Sequence, residues 1–254
     1  FFNIDIRDKC LLENVFKEDL IDAVVHLAAI PGMERCKRNP YDAVTTNVYG
    51  TYNVLEFARK YDVGKVVFTS SAAVYGDPIE VPIREDHPLR PTNLYGVTKL
   101  AAEKLLYVYY HNYGLKTVIL RFGNVYGVGL YTYWETVIPK FVRQALTGQP
   151  LTVYGDGFQS RDFVHVWDVV QAIELVLKAN VAGEVFNVAS GKPVSINSLA
   201  DMVSKIVRKR FNKKISVTHL PPRKGETYIK DFCLSIDKIR SCLLYTSPSP
   251  RDRG

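Results

Sequence analysis

Tyr95 and Lys99 stand four residues apart, a spacing that on a helix puts a phenol and an ammonium one turn apart on the same face. That pairing suits general acid/base chemistry. A phenol titrates at about 10 and is a poor base at neutral pH, but a neighbouring cation favours the phenolate. A hydroxyl can then share the substrate oxygen with it, and Ser71, at the end of a β-branched run, is the candidate. The spacing alone carries little weight. With 16 tyrosines and 18 lysines about one Tyr-x-x-x-Lys arises by chance, and the chain holds two. Tyr61/Lys65 is set aside because Lys65 opens a strand, so no continuous helix carries both. Tyr95/Lys99 opens a helix directly after the loop Pro88-Leu89-Arg90-Pro91-Thr92.

The elements that must position these residues alternate. Residues 22–29, 65–70 and 116–122 are apolar on both faces, as strands inside a parallel sheet are. Helices are predicted over 40–61 and over 93–113, the second ending at Gly114. This βαβ rhythm predicts an α/β fold with a doubly wound parallel sheet. After Gly127 the rhythm changes: shorter units around 138–146 and 195–208 sit among Gly- and Pro-rich loops, while 164–178 and 185–189 return to the sheet pattern. We therefore expect residues 1–126 and 161–190 to form the main domain, with 127–160 and 191–241 forming a smaller lobe over one edge. Ligands of such sheets bind at the carboxyl ends of the strands, which singles out Ala28-Ala29, Thr69-Ser70-Ser71 and Gly123-Asn124.

Three runs, Thr69-Ser70-Ser71-Ala72-Ala73-Val74-Tyr75-Gly76, Tyr95-Gly96-Val97-Thr98-Lys99 and Leu120-Arg121-Phe122-Gly123-Asn124-Val125-Tyr126-Gly127, together resemble the extended short-chain dehydrogenase/reductases. Within these the similarity is to the NAD-dependent nucleotide-sugar epimerases and dehydratases of the UDP-glucose 4-epimerase type. It continues through Val153–Gly157, Ser160–Val169, Phe186–Gly191 and Arg223–Glu226. The resemblance implies a Rossmann-type domain with a C-terminal substrate lobe, NAD as cofactor and a UDP-sugar as substrate. It implies Tyr95 as acid/base, Lys99 as its electrostatic partner and ribose ligand, and Ser71 as the hydroxyl that orients the sugar. Asp5 and Ile6 match the adenine-holding pair, Leu27, Ala28 and Ala29 the small-residue approach to the cofactor, and Asn47 and Thr69 further cofactor positions. Asn124, Arg161 and Arg223 match the groups that receive the nucleotide diphosphate, Glu226 a ribose-binding acid and Tyr154 a residue against the base. Two guanidiniums for two phosphates is sound electrostatics. The implied reaction is transient oxidation at the sugar C4 with return of hydride to the opposite face. Dehydratases or decarboxylases, an NADPH-consuming reductase and a non-catalytic dinucleotide sensor are the rivals on this fold. The acidic pair of the dehydratases is replaced here by Ala72-Ala73, and a sensor has no use for the Tyr/Lys/Ser set.

Composition is that of a soluble protein: 254 residues, 47% hydrophobic and 23% charged, net charge +7. No apolar stretch reaches the ~18–20 residues of a membrane span, so a cytoplasmic protein without membrane attachment is expected. Cys10, Cys36, Cys233 and Cys242 lie far apart without a CxxC pair, and the five histidines lack a ligand spacing, so no metal is expected. Six of the ten residues 205–214 are basic, but Phe211 is the one aromatic among them, too few for a stacking platform, and they end an amphipathic helix, where cations complement the dipole, so no nucleic-acid partner is expected. A homodimer through a helix pair including 93–113 is what the resemblance implies. The chain opens without Met on the strand-like run 1–6, and the Gly-rich phosphate turn is expected upstream of Phe1. The chain as it stands is thus read as an N-terminally truncated piece that binds dinucleotide poorly and is inactive by itself, the expected function being that of the intact parent. Residues 242–254 read as translated sequencing adapter and are left out of the fold reasoning.

Overall fold

The computed structural model describes residues 1–18, 20–129, 133–222 and 229–243. The first half runs α1 (Lys9–Glu18), β1 (Ala23–His26), α2 (Met33–Arg38), α3 (Pro40–Val44), α4 (Thr51–Lys60), β2 (Lys65–Ser71) and α5 (Leu94–Tyr113). There follow β3 (Thr117–Phe122), β4 (Asn124–Tyr126), α6 (Val137–Leu146), β5 (Leu151–Tyr154), β6 (Ser160–His165) and α7 (Val166–Lys178). The chain closes with β7 (Glu184–Val188), β8 (Pro193–Ser195), α8 (Ile196–Phe211), β9 (Val217–Leu220) and α9 (Asp237–Leu243).

The main sheet is parallel throughout, in the order β1-β2-β3-β7. Parallel pairs need crossovers, and these lay helices on both faces. Leu12 and Phe16 of α1, Leu55 and Phe57 of α4 and Leu106 and Tyr109 of α5 cover one face. Val169, Ala172 and Val176 of α7 and Ile239 of α9 cover the other. The doubly wound architecture is therefore as expected. The lobe has its own core, in which Phe141, Leu151, Val153, Leu199 and Val203 pack together. It is built on a parallel pair, β5-β9, while a separate sheet, β4-β6-β8, joins it to the main domain.

Three details depart from the sequence expectation. Residues 1–6 form no strand; Ile6 instead packs against Gly50, where a Cβ would stand 2.5 Å from Ile6 Cδ1. The helix expected over 40–61 is interrupted by a π-helical turn, Thr45–Gly50, between α3 and α4. Third, α9 runs through Cys242 and Leu243, into the stretch read as adapter, and the Leu243 side chain is buried in the core. Residues 244–254 lie outside the described residues. Helix α5 follows its sequence signals closely. The Asn93 side chain caps it by accepting from Gly96 N at 2.9 Å, and Gly114 ends it at φ 71°.

Behind the sheet lies a buried polar network. Glu103 of α5 accepts from Ser70 Oγ at 2.6 Å and from Arg121 of β3, through Nε at 3.0 Å and Nη2 at 2.7 Å. Arg121 Nη1 also donates to the Tyr75 hydroxyl and to the Glu85 carbonyl. Tyr75 donates to Asn187 Oδ1 of β7, whose amide reaches the carbonyls of Ile83 and Ser235. Glu103 and Arg121 are 3% and 4% exposed, so each charge depends on the other. Removing Arg121 alone leaves a buried carboxylate unpaired. We expect Arg121→Leu to lose about 3–5 kcal/mol of stability in a urea titration; an unchanged midpoint would contradict this account of the network.

Candidate active site

The carboxyl end of β2 passes into a short 3-10 turn, Ala72–Val74, whose cap is Ser71. Helix α5 begins directly above it. A Cβ on Gly96 would lie 2.5 Å from the Ala73 carbonyl oxygen and 2.8 Å from Pro91 Cβ, so only glycine lets the first turn of α5 come this close. The approach sets Tyr95 beside Ser71, whose hydroxyl lies close enough to ease ionisation of the phenol. Burial pushes the Tyr95 phenol up to about 12, and the Ser71 hydroxyl offsets only part of that. Lys99, one turn on, is 3% exposed, and its Nζ donates to the Thr69 carbonyl at 2.7 Å. Burial draws its ammonium down to about 8, with Glu103 pulling the other way.

Cys36 and Tyr133 also act on the Tyr95 phenol, and both raise it.

A cleft of about 480 Å³ opens at this point between sheet and lobe. Ser71 and Tyr95 line it from the main domain, Asn124 from β4, and Tyr154 and Arg161 from β5 and β6. Arg161 Nη1 donates to the Ser160 and Ile229 carbonyls, and Lys140 lies 4.7 Å over the Tyr154 ring. Ala72 and Ala73 line the cleft as well. Arg223 and Glu226 lie outside the described residues.

Apart from Tyr95, the expected cofactor residues form no part of that cleft lining. Thr69 is buried beneath it, its hydroxyl donating to the His26 carbonyl. Asn47, on the π turn, is buried and committed: its Oδ1 accepts from Ile30 N at 2.7 Å and its Nδ2 donates to Ile30 O and Thr98 Oγ1. Leu27 and Ala28 are exposed beyond the end of β1, followed by half-buried Ala29. Asp5 sits in an exposed turn, gripped by Arg7, which also reaches Asp42, and Ile6 lies half-buried next to it. The Tyr61/Lys65 pair is apart: Tyr61 donates to Glu13, and Lys65 to the carbonyls of Val176 and Ala179.

These residues suit a dinucleotide. The Lys99 ammonium spends one of its three protons on Thr69 and has donors left for ribose hydroxyls. The small side chains of Ala28 and Ala29 leave backbone open at the strand end.

Sequence reasoning missed Tyr133 and Arg35, which line the cleft, and His26. His26 is buried against Thr51, and burial takes it down to about 3. Nothing in their spacing marks them; Thr98, inside the Tyr95–Lys99 stretch, was the legible clue to Asn47's partner.

The chain is similar to known proteins. Residues 1–189 match the family model described as NAD dependent epimerase/dehydratase family. A UDP-glucose 4-epimerase of Halalkalibacterium halodurans is 33% identical over 243 residues, covering 89% of this chain and 72% of that protein. Among solved structures, the UDP-glucose 4-epimerase of Thermotoga maritima with UDP-glucose superposes with a TM-score of 0.91 at 31% identity, over 100% of this chain and 81% of the other. A dTDP-glucose 4,6-dehydratase of Streptomyces venezuelae with NAD bound gives a TM-score of 0.88 at 32% identity, covering 100% and 76%.

The titration of Lys99 has a measurable consequence. Its folded pKa of about 8 lies below the ordinary 10.5, so between these values the unfolded chain holds a proton that the native one has lost. Stability attributable to this group therefore rises as pH climbs from about 8 to 10.5, by up to about 3 kcal/mol. Lys99→Met should abolish that rise, read from denaturant midpoints at pH 7.5 and 10; parallel profiles for the two proteins would contradict it.

Proposed function

Since the chain belongs to the NAD-dependent epimerase/dehydratase family, we propose that it interconverts the C4 epimers of a UDP-hexose. The observation that carries this reading is the Ser71 hydroxyl against the Tyr95 phenol, with Ala72 and Ala73 beside them offering no carboxyl. Elimination of water from a sugar needs a further acid and base at that place; inversion at one carbinol does not.

Bound NAD supplies the hydride acceptor and, in return, its donor. Tyr95 takes the proton of the C4 hydroxyl and restores it to the epimer, while Ser71 shares that oxygen and fixes its direction. Lys99, hung from the Thr69 carbonyl, keeps a positive charge under the site at neutral pH. Asn124, Arg161 and the lobe residue Tyr154 lie along the cleft where diphosphate and base would extend; Arg223 and Glu226 complete the proposed nucleotide contacts. On the cofactor side the proposed contacts are Asp5, Ile6, Leu27, Ala28, Ala29, Asn47 and Thr69.

Two broader features accompany this reading. Val97, Tyr107 and Val108 expose 47%, 58% and 40% of their surface on α5, which favours a homodimer through that face. The four cysteines are free thiols, in keeping with a reducing cytoplasm. No described helix is long and apolar enough to cross a membrane.

Incubation with UDP-glucose, without an added redox reagent, should yield UDP-galactose and the reverse; accumulation of a dehydrated keto-sugar instead would overturn the assignment. Tyr95→Phe should cut turnover at least ~100-fold while leaving NAD retention unchanged, and a variant of undiminished turnover would remove Tyr95 from the chemistry.

A further inference from the structure

Tyr133 stands on the wall of the cleft, a few residues before α6. Its phenolic oxygen is shut away from solvent and has no hydrogen-bond partner among the described residues. Such a group is rare, because a buried hydroxyl that neither water nor protein satisfies costs stability. Its ring is held in place: the Arg35 guanidinium lies 4.0 Å from the ring centroid, and Arg35 borders the same cleft. Burial holds the Tyr133 phenol above its ordinary value, so it keeps its proton and acts as a donor. Tyr133 is also near enough to Tyr95 to raise the cost of ionising its phenol.

We propose that Tyr133 is a sugar-binding residue, its hydroxyl donating a hydrogen bond to an oxygen of the hexose while Arg35 braces the ring. The placement selects the sugar over the nucleotide. The reacting carbinol must lie at Tyr95, and Tyr133 is on that side of the cleft, whereas Tyr154 and Arg161 come from the lobe strands. Among the described residues it meets no acceptor, and a ligand bound in the cleft that its ring lines would supply one. The inference rests on the nucleotide-sugar reading above and adds a determinant of sugar discrimination to it.

The test separates sugar from nucleotide. With NAD-loaded protein, calorimetric titration with UDP-glucose and with UDP is compared for wild type and Tyr133→Phe. Loss of one hydrogen bond should weaken UDP-glucose binding about fivefold to tenfold and leave UDP binding unchanged. The ligand-free variant should melt at or above the wild-type temperature, since the unpaired oxygen is gone. Equal weakening of both ligands, or of neither, overturns the inference and leaves the proposed reaction standing. A wild type that takes up neither ligand overturns the nucleotide-sugar reading itself.

Discussion

A carboxylate in the wrong medium organises this molecule. Glu103 sits almost wholly out of water behind the sheet, and a charge there is tolerable only with its hydrogen bonds complete. Ser70 and Arg121 complete them, and Arg121 in turn engages Tyr75 and the Glu85 carbonyl. One anion thus joins α5, β2, β3 and the long connection between β2 and α5; through Tyr75 and Asn187 the set extends to β7. Helix α5 is the element that carries Tyr95 and Lys99. Its distance from β2 is therefore fixed twice, by this network below and by Gly96 against Ala73 above.

The cleft inherits its electrostatics from that tight packing. Burial moves the two chemical partners in opposite senses, the phenol up and the ammonium down, so each leans toward its neutral form. The protein alone is consequently poised to give a proton at this point, not to take one. A nearby positive charge would lower the cost of ionising that phenol.

Much of this was legible in the amino-acid order. Continuous β-branched runs betrayed β2 and β3 because both faces are covered, and Asn93 and Gly114 marked α5 because caps are local chemistry. Ser71, Tyr95, Asn124, Tyr154 and Arg161 were chosen from motifs and share one cleft. Other features depend on distant partners and leave no spacing to read. Glu103 and Arg121 are 18 residues apart on different elements, and Tyr133 meets Arg35 only through the fold. The Tyr95 pKa illustrates the same limit: one helical turn brought Lys99 near, but the direction its ammonium takes was decided by the Thr69 carbonyl. Ile6 looked like the end of a strand, yet it packs half-buried against the core on that face of the sheet and against Gly50.

The π-helical turn over Thr45–Gly50 has an evolutionary corollary. A wide turn is an α-helix carrying one surplus residue, and here it falls where Asn47 must look inward toward Thr98 and Ile30. Deleting a single position would let the segment relax into ordinary winding, at the cost of rotating everything before it by roughly a hundred degrees about the axis. The surplus residue is thus a phase-setter. Homologues that lost it would need a different side chain, at a different position, to hold the strand-end loop to α5.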